Sequence, residues 1–210
     1  GSVYPADSEL HPIVDSAQSL GADWGPDKDV TRVVSLSGSK IATSAEGGLL
    51  LTMDKDLYLW CKERAYWFSR MNELEAALGI AYMACLDEIL KKRATIADAW
   101  RKAFPGLEWQ KIPMSTNNYI TAATFPTETA RDGFLYRHSK DVEFRKYYTS
   151  AVNESDTAID DPLIVRKCTD SVRSRMLAFP SWPDMPLGEV EALRAREEDF
   201  AIDSMPLGRM

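Results

Sequence analysis

From about Arg70 to Phe104 the chain reads as one long helix, and no other stretch limits the fold as much. Leu74, Leu78, Ala81, Cys85 and Ile89 recur at three- and four-residue spacing, while "DEILKKR" puts its charges on the opposite face. Pro105-Gly106 ends the run. A helix of that length runs along or between domains, so the chain on its two sides should belong to different bodies. Before it, "HPIVD", "RVVSLS" and "GGLLLTM" are short apolar runs parted by Gly, Asp and Ser, which predict strands, with parallel pairing expected. "DKDLYLWCKERAYWF" then predicts a helix capped by Asp54. After it come a strand-like "NYITAATFP", a helix from about Thr127, a strand-like "EFRKYY" and a helix from about Leu187 to Ala201, which suit a smaller α+β domain. The expected division is residues 1–104, with the long helix, and residues 105–210, with "DSMPLGRM" as a loose tail.

Composition narrows the function classes. The chain has 210 residues, 45% hydrophobic and 10% aromatic, enough for a sizeable core in one large or two small domains. A net charge of -7 and a pI near 5.0 argue against nucleic acid or an anionic membrane as partner. No hydrophobic run approaches a membrane span and no signal-peptide pattern is present, so a cytoplasmic setting is expected. Cys61, Cys85 and Cys168 are odd in number and far apart, which suggests neither a disulfide framework nor a zinc site. His11 and His138 lack partners at metal-ligand spacing, so no metal is expected.

One loop stands out chemically. "SLSGSKIATSAEGG" sets Lys40 among serines and glycines between two strand-like runs, at a sheet edge of the kind where α/β folds bind ligands. Taken alone, a lysine in a Ser/Gly loop reads as a solvated side chain. Asp15, which follows the apolar "PIV", reads either as a carboxylate emerging from a strand end or as the cap of a helix begun by "SAQSLGA". Glu46, Gly47 and Gly48 shape the turn into the next strand, the glycines allowing backbone angles other residues resist.

Three segments decide between these readings by their order. "PIVDSAQSLGAD", "VSLSGSKIATSAEGGLLLT" and "RMNELEAALGIAYMACLDEILKKR" resemble, in sequence, three signature segments of the DegT-type sugar aminotransferases, a family of fold-type I pyridoxal phosphate (PLP) enzymes. The resemblance covers nearly the whole chain and weakens after about residue 120. It implies an α/β fold: part of the large domain, a mostly parallel sheet with helices, then the long interdomain helix and a smaller α+β domain. It implies that Lys40 forms the Schiff base with PLP and shuttles the proton, that Asp15 keeps the pyridine nitrogen protonated, that Gln18 sits beside the ring oxygen, and that the Ser35 hydroxyl helps hold the phosphate. Ser37 and Ser39 read either as assisting it or as small residues that permit tight packing.

The function so implied is transfer of an amino group, from glutamate, to a keto-sugar nucleotide, by a homodimer. Two departures from the family pattern qualify it. Members carry a long segment before the aspartate strand, so this chain is expected to lack its N-terminal part or to receive it from another chain, and to bind PLP weakly alone. Phe68 stands where the family has an asparagine that reaches the partner's phosphate; a phenyl ring cannot donate, and Asn72 is the nearest substitute. The alternative is a non-catalytic remnant that binds a partner or dimerises through the long helix.

Overall fold

The computed structural model describes residues 2–3, 13–24, 30–112, 115–147 and 167–203. The expectations for His11 and for the tail from residue 204 lie outside the described residues, as do the side chains of Phe68 and Cys168. The chain divides into two compact units, residues 1–94 with 112–119 and residues 95–111 with 120–210. The sequence puts the change of body after residue 104, at the end of the helical run. The units part earlier, inside a helix, and a short later segment returns to the first.

Unit 1 begins with β1 (Ser2–Val3), β2 (Ile13–Asp15), β3 (Thr31–Ser35) and β4 (Gly48–Leu51). β2 pairs with β3 in parallel, Asp15 opposite Val33, and β3 pairs with β4 antiparallel, Val34 opposite Leu49. Parallel pairing, expected throughout this region, therefore holds for β2–β3 only. The 36–47 loop turns the chain straight back on itself, which makes β3 and β4 antiparallel neighbours. Gly48 permits their closeness, since a Cβ there would lie 2.6 Å from the Val34 carbonyl oxygen.

The helix α1 (Lys55–Phe68) starts at Asp54, whose carboxylate accepts from the Asp56 and Leu57 amides. The single long helix is two: α2 (Glu73–Ala84) and α3 (Leu86–Ala103). The break is at Cys85, whose amide donates to the Tyr82 carbonyl in a tighter turn. Asn72 closes a capping box with Glu75 at the start of α2, so its carbonyl oxygen is engaged locally.

Unit 2 holds the antiparallel sheet β5 (Glu108–Trp109), β7 (Thr121–Thr124) and β8 (Met176–Phe179), in the order β5-β7-β8. Between β5 and β7 the short β6 (Ser115–Thr116) belongs to unit 1 and pairs with β1. The helices α4 (Glu128–His138), capped by Thr127, α5 (Lys167–Arg175) and α6 (Leu187–Asp203) complete the described elements. "EFRKYY" makes a single bridge, Arg145 to Ala178, within its described part. The core is aromatic: Trp100, Phe125, Phe134, Phe144 and Phe179 are all buried, with the Trp100 and Phe179 rings 5.2 Å apart edge to face. Trp100 Nε1 donates to the Pro180 carbonyl at 2.7 Å, which satisfies its one polar atom.

Candidate functional site

Lys40 lies beyond the C-terminal end of β3, in a loop of unit 1 tied across by its own hydrogen bonds. Leu36 anchors it: its amide donates to the Gly47 carbonyl at 2.9 Å, and its carbonyl accepts from the Ser44 amide at 2.9 Å and the Thr43 hydroxyl at 3.0 Å. Leu36, Ile41, Ala42 and Ser44 are buried, and Ser44 Oγ donates to the Glu46 carbonyl. Gly47 turns the chain out at φ 107°, a left-handed angle that favours glycine. The serines, glycines and threonine of this loop thus make a fixed support. Inside it the Lys40 amide donates to the Ser37 carbonyl at 3.0 Å, and the side chain leaves half-buried.

Because β2 and β3 are parallel, Asp15 and Ser35 come out at the same end of the sheet. Asp15 is exposed, and its Oδ1 accepts from the Ala17 amide at 2.9 Å; residues 17–20 form a turn rather than the helix an N-cap would begin. Its other oxygen makes no hydrogen bond among the described residues. Ser35 Oγ reaches Ser37 Oγ at 3.3 Å and the Ser37 amide at 3.4 Å, both long. Ser16 Oγ, next to Asp15, is buried with no partner. Gln18 sits in the 17–20 turn with its side chain exposed; it is its carbonyl that is held.

What holds it is a residue that sequence reasoning passed over. Asn117 is buried and uses all of its amide: Nδ2 donates to the Gln18 carbonyl at 2.9 Å and to the Leu20 carbonyl at 2.8 Å, and Oδ1 accepts from the Tyr119 amide at 3.0 Å. Tyr119 in turn lies under Lys40, with Nζ 5.3 Å from the ring centre. One side chain thereby ties the Gln18 turn to the segment that carries the ring beneath Lys40. The sequence signal was an Asn pair inside a run that otherwise reads as strand.

A second missed residue is Arg93. The charged face of "DEILKKR" was expected to be solvated throughout, yet Arg93 is only 9% exposed. Its spacing from Ile89, Ile96 and Trp100 puts it within the apolar stripe, whereas Lys91 and Lys92 face out. Burial pushes the guanidinium below its ordinary value, and the Tyr119 phenol acts in the opposite direction. Arg32, also buried, lies 4.9 Å over the Trp24 ring. Among the described residues, none of Arg32, Lys40 and Arg93 has a carboxylate partner.

The sequence model of the DegT/DnrJ/EryC1/StrS aminotransferase family matches residues 4–195. The chain belongs to this family. GDP-perosamine synthase of Vibrio cholerae is 27% identical to it, over 84% of this chain and 55% of that protein. Among solved structures, Helicobacter pylori PseC, an aminotransferase of pseudoaminic acid biosynthesis, superposes with a TM-score of 0.75 at 17% identity, over 88% of this chain and 58% of its own. The sugar aminotransferase Spr1654 of Streptococcus pneumoniae in its PLP form gives 0.70 at 14%, over 92% and 58%. Those two likenesses show the fold, an α/β fold of PLP-dependent sugar aminotransferases. The chain spans about half the length of the relatives it matches. DegT-family aminotransferases use PLP as cofactor, and Spr1654 is solved in both PLP and PMP forms. No helix among the described residues is long and apolar enough to cross a membrane.

Proposed function

We propose that this chain contributes the lysine-bearing part of a PLP-dependent aminotransferase that moves an amino group from glutamate onto a keto-sugar nucleotide. The observation that carries the reading is Lys40, a half-buried amine without a carboxylate partner among the described residues, held in a cross-tied loop beyond β3 in a chain of this family. The donor set suits the cofactor: one amine, one exposed carboxylate with a spare oxygen, two weakly engaged serine hydroxyls and the orphaned Ser16 hydroxyl. When bound, PLP supplies the electron sink that transamination requires.

The rest falls to protein groups. Asp15 would keep a proton on the pyridine nitrogen, because a carboxylate beside a protonated ring favours its charged form. Ser35 and Ser37 would turn hydroxyl and amide N–H groups toward the phosphate. Gln18 would stand by the ring oxygen. Lys40 would attach the cofactor through Nζ and, when free, hold a proton there. The sugar substrate is supported by the relatives, which act in perosamine and pseudoaminic acid synthesis by their names. A cytoplasmic homodimer fits the exposed apolar side chains Trp60, Trp67, Leu74 and Ile80 of α1 and α2.

Those same side chains favour a second reading, a non-catalytic binding or dimerisation module. A titration with PLP separates the two. The aminotransferase reading expects a saturable absorbance change from covalent attachment that Lys40→Ala abolishes; the module reading expects none in either protein.

A further inference from the structure

We infer that Asn117 is a positioning residue of the candidate site, holding the turn that follows Asp15 and carries Gln18 in a fixed relation to the ring beside Lys40. This role rests on the reading of Lys40 as the cofactor-bearing lysine. A buried carboxamide is costly unless its donors and its acceptor are used, and Asn117 is 2% exposed. It uses both ends. Nδ2 donates to the Gln18 carbonyl at 2.9 Å and to the Leu20 carbonyl at 2.8 Å, while Oδ1 accepts from the Tyr119 amide at 3.0 Å. The Tyr119 ring centre in turn lies 5.3 Å from Lys40 Nζ.

An asparagine that only closed its own turn would need the Oδ1 bond to the amide two residues on and nothing more. The two Nδ2 bonds reach 97 and 99 residues back along the chain and add nothing to that turn. What they add to is the site. Inside the Gln18 turn the Ser19 amide donates to the Ser16 carbonyl at 3.1 Å and the Ala22 amide to the Ser19 carbonyl at 3.0 Å, bonds that shape the turn without tying it to a distant part of the chain. Asn117 makes that tie, and Ser115 reinforces it by accepting from the Asp23 amide at 2.9 Å. Residues 112–119 belong to unit 1 although the chain before and after them belongs to unit 2. Three residues of this excursion, Ser115, Asn117 and Tyr119, therefore touch the two stretches that carry Gln18 and Lys40. Asp15 and Gln18 serve the cofactor ring on the proposed reading, and Lys40 Nζ is the atom that attaches it. Their mutual placement is what the reaction needs kept, since a misplacement of about 1 Å costs on the order of a hundredfold in rate.

The test uses the full chain with saturating PLP and two readouts: circular dichroism in the absorption band of the attached cofactor, and the pyridoxyl label on Lys40 after borohydride reduction. PLP is achiral, so a strong dichroic signal requires the protein to hold its ring at a fixed angle. The wild type should give both label and signal. Asn117→Ala should keep the label on Lys40 and lose several-fold in dichroism per mole of label. Thr127→Ala, which removes a capping bond to the Ala130 amide in unit 2, loses stability without touching the turn and should keep both. Should Asn117→Ala fail to fold, Asn117→Ser keeps a hydroxyl able to make one of the three bonds and should give a signal between those of wild type and free lysine adduct. Wild-type label without dichroism, undiminished dichroism per label in a folded Asn117 variant, or an equal loss in Thr127→Ala overturns the positioning role and leaves the cofactor reading standing. A folded Asn117→Ala that takes no label while Thr127→Ala does would make Asn117 a requirement for attachment and overturn the role as stated. Wild-type chain without label on Lys40 sinks the cofactor reading itself, and the positioning role with it.

Discussion

The two units handle charge and apolar surface in opposite ways. In unit 2, Arg137 makes a two-pronged pair with Glu197 at 2.7 and 2.9 Å, and buried His138 shares the same carboxylate at 2.6 Å. In unit 1, Arg32 and Lys40 face aromatic rings and Arg93 has no carboxylate partner among the described residues. The exposed large apolar residues follow the same split. Among the described residues, unit 2 exposes Tyr136, Val172, Trp182 and Leu187, while unit 1 exposes Ile13, Val33 and Leu50 on its sheet and many more along α1 and α2. Unit 2 gives buried Arg131 and His138 carboxylate partners; unit 1 presents groups that other molecules can satisfy. That is the difference between a supporting body and a binding one.

The largest effect should come from the core of unit 2. Trp100→Ala removes a fully buried indole that touches several rings, and should cost about 3–5 kcal/mol in urea unfolding. A loss below about 1 kcal/mol would mean that the aromatic cluster is not what holds unit 2 together.

Next is the Glu197 cluster, where Glu197→Gln should cost about 2 kcal/mol at neutral pH. Burial disfavours the Glu197 charge, but hydrogen bonds from Arg137 and His138 and their charges outweigh it and leave the carboxyl below its ordinary value. A carboxyl depressed in the folded state stabilises above its unfolded value, and that stability is lost as pH falls through the folded one. The wild-type advantage over Glu197→Gln should therefore shrink on acidification below the usual carboxylate range. An advantage that stayed constant to low pH would show that the pair contributes shape and not charge.

Unit 1 should respond in association rather than stability. Leu74 is 84% exposed, so Leu74→Glu should change unfolding by no more than about 0.5 kcal/mol. By sedimentation, however, the wild type should be a dimer or larger and the variant should shift toward monomer. A wild type that is monomeric at micromolar concentration would remove the proposed self-association.

How much of this was legible in the sequence depends on how local each signal is. The strands at "IVD" and "TRVVS", the Asp54 cap, the helix start near Thr127 and the left-handed Gly47 rest on a few neighbouring residues, and they are found where the sequence puts them. The break at Cys85 left no such mark, since neither Pro nor Gly adjoins it. The antiparallel β4 follows from how the Lys40 loop folds back, which composition does not reveal. Asn117 and Gln18 stand 99 residues apart in the chain, and Arg93 was hidden by two neighbouring lysines that do face water. Charge pattern read along the chain gave the wrong face for it; apolar spacing read around the helix would have given the right one.

The central claim is that Lys40, alone among the lysines, is the attachment point for PLP. Incubating the chain with PLP, reducing with borohydride and mapping the peptides tests it directly. A pyridoxyl label is expected on Lys40 and should disappear in Lys40→Ala without moving elsewhere. A label on another lysine with Lys40 unmodified would contradict it.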